Sequence, residues 1–95
     1  MFVVLLKFAD NKGKAGHLME SHKAWPQRGF DDGIFLMAGS LHPGLGGAIM
    51  AHNSSMSDLQ KRVNADPFVA ERVVSAEILE ISPSRVDDRL KSLLA

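Results

Sequence analysis

Chemistry in this chain has to come from histidine, carboxylate and hydroxyl groups, because its 95 residues include no cysteine. Thiol nucleophiles, thiolate metal sites and disulfides are excluded together. The most suggestive acid is Asp66, in the stretch NADPFVAERVV from Asn64 to Val74. An aspartate directly before a proline is a helix-start signal: the carboxylate caps free amides while Pro67 takes the first helical position. Beside so apolar a run the same carboxylate is also a candidate working group. The two roles are compatible, since one oxygen can hold local amides while the second reaches a partner.

The four histidines differ in what they offer. His22 falls on the apolar face of a predicted helix, where it is either half-buried and bonded to a backbone carbonyl or functional. His17 precedes it by five residues, which turns the two to different faces, whereas a two-histidine metal site on one helix needs a spacing of four. With no H-x-H and no clustered carboxylates, no metal is expected. His42 and His52 flank the loop HPGLGG. That loop leads into a strand, while a phosphate-cradling loop leads into a helix, so it reads as a hairpin tip. Trp25, the sole tryptophan, either walls a pocket for an aromatic substrate or packs in the core.

These residues must be positioned by elements that the apolar pattern outlines. Phe2 to Phe8 is a continuous apolar run closed by turn residues, as expected of a strand covered on both faces. Lys14 to about Phe30 carries Leu18, Met19, His22, Trp25 and Gly29 or Phe30 at helical spacing. Pro26 predicts a kink or early end near Trp25, then an irregular stretch through Arg28 and Gly29 to the turn at Asp31, Asp32 and Gly33. Ile34 to Ala38 is a second strand, interrupted at Gly39 and Ser40, where a bulge or the close approach of a ligand is expected. A loop from His42 to Gly47 and a third strand from Ala48 to His52 complete a hairpin. Ser55 or Ser57 caps a helix from Asp58 to Ala65 with Leu59 and Val63 inward. Val73 to Ile81 alternates as a fourth strand, Val74, Ala76 and Ile78 inward and Ser75 and Glu77 outward. A tail helix over Arg85 to Leu94 follows from the spacing of Val86, Leu90, Leu93 and Leu94, with Asp87 and Asp88 early and Lys91 late to suit the helix dipole.

The order is that of an α+β, ferredoxin-like βαββαβ domain spanning residues 1–95, with an extra C-terminal helix. Two helices cover one face of the sheet. The bare face is expected to be covered by a second copy, sheet on sheet, giving a homodimer. Eleven Lys and Arg balance eleven Asp and Glu, so the clustered positive charge that nucleic-acid binding requires is absent. Lys61 and Arg62 beside Asp58 read as a solvated helix face. The opening MFVVLLKFADNK is too short to span a bilayer and lacks a basic start and a cleavage site, which predicts a cytoplasmic chain without membrane association.

His22 on the first helix, Gly33 opening the second strand, AGS at Ala38, Gly39 and Ser40, and DPF at Asp66, Pro67 and Phe68 follow one another over most of the chain. In that order they resemble the YCII-related (YciI-like) family of small dimeric α/β-barrel proteins. The family commonly has AGP where this chain has AGS, and a longer loop in place of HPGLGG. The resemblance implies a ferredoxin-like protomer dimerised through its sheet, with His22 and Asp66 as a catalytic pair in a cleft beside the sheet. Ser40, Gly39 and Trp25 are the expected substrate-binding residues.

A histidine titrates near neutrality, at about pH 6.5, and a carboxylate on one ring nitrogen fixes which nitrogen carries the proton. Such a pair is a general acid/base, worth roughly 100- to 10,000-fold in rate, suited to proton abstraction beside a carbonyl or to elimination of a leaving group. No serine lies in a G-x-S-x-G motif, so hydrolysis by a triad is not indicated. The expected function is a cofactor-independent lyase, isomerase or dehalogenase acting on a small carbonyl-bearing or aromatic acid. Two alternatives stand beside it: a non-catalytic module that binds a small ligand, and a cofactor-independent monooxygenase.

Overall fold

The computed structural model describes residues 1–93. Its elements are β1 (Phe2–Phe8), α1 (Ala15–Asp31), β2 (Phe35–Leu41), β3 (Gly46–Ala51), α2 (Met56–Asn64), α3 (Pro67–Ala70) and β4 (Val74–Glu80), with a 3-10 turn at Lys12–Lys14 before α1. The four strands form one antiparallel sheet in the order β2-β3-β1-β4, which is the ferredoxin-like arrangement. Among the described residues no helix is long and apolar enough to cross a membrane.

Strand alternation decides where the core lies. Phe2, Val4 and Leu6 of β1 are buried, as are Ile49 and Ala51 opposite them on β3. On the same face Leu59 and Val63 of α2, Trp25 of α1, and Phe68 of α3 close the core. The continuous apolar run of β1 is thus covered on one face only within the protomer, since Val3 and Leu5 are half-buried and Lys7 is exposed. The opposite face of the sheet carries Val3, Leu5, Met37, Met50 and Leu79, with Met37 56% and Leu79 45% exposed.

Helix α1 corrects the expectation drawn from Pro26. It runs without a break from Ala15 to Asp31, and Arg28 and Gly29 belong to it. One missing amide is tolerated because both halves are anchored. Trp25 is buried and its indole N–H donates to the carbonyl of Arg62 on α2 at 2.9 Å, while Gly29 lies against the Phe35 ring. The helix ends at Gly33, whose φ of +75° is the left-handed conformation glycine supplies at this position.

The hairpin also differs from its sequence outline. β2 continues through Gly39 and Ser40, and the irregularity falls earlier, between Phe35 and Met37. Gly46 and Gly47 belong to β3 rather than to the loop. Gly46 has φ +133°, and a Cβ there would collide with the Leu6 carbonyl of the neighbouring strand. In α2 it is Ser55 that caps, its hydroxyl accepting the Asp58 amide at 3.0 Å, so the helix starts at Met56. The tail is shorter than its apolar spacing suggests: a 3-10 segment from Asp88 to Leu93 replaces the helix, and Leu94 lies outside the described residues. Leu90 is exposed there. Arg89 beside Asp87 holds that exposed carboxyl below its usual range.

Two glycines of α1 provide a matched test. A methyl at Gly29 overlaps the Phe35 ring, whereas one at Gly16 meets open space. Urea denaturation is expected to show Gly29→Ala destabilised by about 1–3 kcal/mol through overpacking and Gly16→Ala stabilised by up to about 1 kcal/mol through helix propensity. Equal effects at the two positions would contradict this packing.

Candidate functional site

Asp66 sits between α2 and α3 with an extended backbone, and Pro67 occupies the first position of α3. Its Oδ1 accepts the Phe68 amide at 3.1 Å, so the capping role is realised. The same oxygen also accepts from His22 Nδ1 on α1 at 2.8 Å. This corrects one detail of the expectation, because a single oxygen serves both donors. The second, Oδ2, is buried with no hydrogen-bond partner among the described residues. The whole side chain is 0% exposed, and a buried carboxylate left half-satisfied is costly. Such atoms in native structures call for a reason beyond stability.

The imidazole of His22 is fixed by more than this bond. The Phe68 ring stacks on it with centroids 3.9 Å apart and planes within 2°, and Trp25 flanks it at 6.5 Å. α3 therefore delivers two constraints from adjacent positions: a carboxylate that orients the ring in its plane and an aromatic face that sets the plane itself. An ionised carboxylate can only accept, so with Asp66 ionised the hydrogen of this contact belongs to Nδ1 and a neutral ring keeps its lone pair on Nε2.

His22 borders a cleft of about 290 Å³ at one end of the sheet, under α1. Leu6, Phe8, Met19 and Phe68 supply apolar wall, and Ser40 brings a hydroxyl. Ser40, Gly47 and Leu6 are neighbours across three strands, so the missing side chain at Gly47 lowers the floor between the other two. Apolar walls with a few polar groups are the usual character of a small-ligand site. The cleft joins His22, Ser40 and Gly39. Trp25 does not belong to it: the indole is 2% exposed and bonded to α2, and it borders a separate groove. Its position corrects the expectation of a pocket wall and follows the alternative of core packing.

The remaining histidines lie elsewhere. His17, His42 and His52 are not among the residues lining the cleft, and among the described residues no three His, Cys, Asp or Glu side chains gather where a metal ion could be held. Phe68, named from the sequence only as part of DPF, and Gly47 were not expected to shape the site. The signal for Phe68 was present in its place two residues after Asp66, since the capping bond of an aspartate to that amide places the following side chain beside whatever the carboxylate holds. Gly47 had no comparable signal, because its neighbours across the sheet are fixed only by strand register.

No family model matches the chain, and no curated protein matches it. Among solved structures it is similar to the 5-chloro-2-hydroxyhydroquinone dehydrochlorinase TftG from Burkholderia phenoliruptrix AC1100 in complex with 2,5-dihydroxybenzoquinone. The TM-score is 0.68 at 11% identity, covering 86% of this chain and 94% of that one. At this identity the likeness is one of fold, and function has to be argued from the site.

Replacing Asp66 tests how the cap and the pair balance the buried charge. Asp66→Ala is expected to lower the unfolding free energy by about 1–3 kcal/mol, through loss of the cap and of the bond to His22. Unchanged or raised stability in urea would mean that desolvation of the carboxylate outweighs both bonds.

Proposed function

We propose that the chain is a small cytoplasmic, homodimeric enzyme of lyase or isomerase type related to the YCII-related family, with His22 as general base and acid and Asp66 as its orienting partner. The observation that supports this reading best is the 2.8 Å bond between a fully buried carboxylate and an imidazole that borders an apolar cleft. That a dehydrochlorinase has a similar fold is in keeping with it.

The proposed step follows from the ring's orientation. Asp66 holds Nδ1–H, and Nε2 takes a proton from a carbon or hydroxyl of a substrate held in the cleft. The electron pair of the broken bond forms a new double bond, and the pair of the bond to the leaving group departs with it. For a chlorinated substrate the net loss is one proton and one chloride, with no oxidant involved and no cofactor needed. Imidazolium then gives its proton to water. Asp66 keeps the ring oriented through the step, as a carboxylate behind a histidine does in acyl-transfer triads. Ser40, at the far side of Gly47, is placed to bond a substrate oxygen, and the Gly39 backbone borders the same space.

The homodimer is proposed through the face of the sheet turned away from the helices. Met37, Leu79 and Ile81 are 56%, 45% and 44% exposed, and half-buried Val3, Leu5 and Met50 join Met37 and Leu79 there. Contiguous apolar surface of this kind marks an interface. Introducing Met37→Lys with Leu79→Lys is expected to shift the species seen by light scattering from dimer to monomer. A wild type that is already monomeric at micromolar concentration would sink the dimer.

The functional test is chloride release from 5-chloro-2-hydroxyhydroquinone and from chlorinated aromatic acids. His22→Ala is expected to reduce turnover by roughly 100- to 10,000-fold, the range for loss of a general base, while the far-ultraviolet spectrum and oligomer are kept. Full activity in the variant would overturn the role of His22. A wild type stabilised by these compounds without converting them would instead favour the binding-module reading, and oxygen uptake with a quinol would favour a monooxygenase.

A further inference from the structure

A second concavity, of about 510 Å³, shares none of its lining residues with the His22 cleft. Half-buried Ile34 gives it an apolar surface, and the edge of the otherwise buried Trp25 borders it. Around that surface stand Arg28 from α1 and Lys61 and Arg62 from α2, against one lining carboxylate, Asp58. With Asp32 paired to Arg62, three cations stand against two carboxylates, a local excess of one positive charge in a chain that is neutral as a whole. Arg62 is held in place by Asp32 at 3.0 Å. Arg28 and Lys61 are exposed and make no ion pair among the described residues. The solvated-face reading of Lys61 and Arg62 concerns α2 alone. It does not account for a third cation brought from another helix to border the same hollow.

We propose that this groove binds a small polyanionic ligand, one carrying either phosphate groups or several carboxylates. Arg28 and Lys61 are its direct contacts and its charge partners, while Arg62, offset by Asp32, is a fixed hydrogen-bond donor at the rim. A guanidinium fork matches the oxygens of a phosphate or carboxylate in pairs, and an ammonium adds a mobile point charge. The volume lies within the roughly 300–1,000 Å³ usual for small-molecule sites. Half-buried Ile34 is the apolar surface beside these charges. This site is independent of the chemistry proposed for His22.

Trp25 is the only tryptophan. It borders the groove and donates its indole N–H to the carbonyl of Arg62 at 2.9 Å, so binding has a built-in reporter. Wild-type protein in about 0.15 M salt, where exposed charges further apart than about 8 Å are screened, is titrated with inorganic pyrophosphate and, separately, with tricarballylate. Fluorescence and calorimetry are followed together. The expected result is a saturable change with at least one probe, weakened by about tenfold or more in Arg28→Gln and in Lys61→Gln, tenfold being about 1.4 kcal/mol. Both side chains are exposed, so the variants are expected to keep the wild-type far-ultraviolet spectrum. Saturation by pyrophosphate alone assigns the site to phosphate groups, and saturation by tricarballylate alone to carboxylates. Absence of saturable signal and heat with both probes would overturn the proposal, as would variants that bind as tightly as wild type.

Discussion

Everything near the cleft depends on burying one carboxylate. Asp66 is removed from solvent and held by two donors on the same oxygen, one from the helix it caps and one from a ring on another helix. That arrangement ties α1 to α3 in a way apolar packing alone does not. Neither donor is replaceable by water where the site is closed, so the position of His22 and the start of α3 are fixed together. The chain then returns directly to the sheet. The Val73 amide bonds the Phe68 carbonyl at 2.9 Å, and β4 begins at the next residue. The segment from Asp66 to Val74 is therefore a compact device that caps a helix, holds an imidazole by edge and by face, and launches an edge strand.

Much of this architecture was legible because apolar periodicity is dictated by burial. Leu59 and Val63 are both 0% exposed, as their spacing and the Ser55 cap implied, and Val74, Ala76 and Ile78 face inward while Ser75 and Glu77 face out. The readings that failed did so where a tertiary contact overrode a local preference. Pro26 removes one hydrogen bond from α1, but the indole of Trp25 anchored on α2 and the seat of Gly29 on Phe35 outweigh it. Gly46 looks like loop sequence, yet its reason is the Leu6 carbonyl passing close by, which no local pattern reveals. The tail has helical spacing, but Leu90 is exposed, and spacing by itself does not make a stable helix.

The candidate site was legible in part. Residue types and the resemblance brought His22 and Asp66 forward, and the structure brings them together. The stacking of Phe68, the floor opened at Gly47 and the sharing of Oδ1 depend on register and on helix placement, which are properties of the assembled sheet. Trp25 shows the converse. Its three-residue distance from His22 suggested a shared pocket, but the indole turns into the core and toward α2, where it separates the apolar cleft from a cationic groove. Two concavities of different character thus border α1, one with an imidazole among apolar side chains and one with a local excess of cations.

The central claim is that Asp66 fixes the tautomer of His22 so that Nε2 is left with its lone pair toward the cleft. Long-range proton–nitrogen NMR of the imidazole rings measures this directly, with His22→Gln used to assign the signals. At a pH where the ring is neutral, the account predicts hydrogen on Nδ1 and an unprotonated Nε2 whose resonance moves when 2,5-dihydroxybenzoquinone is added. A neutral ring with its hydrogen on Nε2 would contradict the account, since Asp66 would then not be holding the ring and no base would face the cleft.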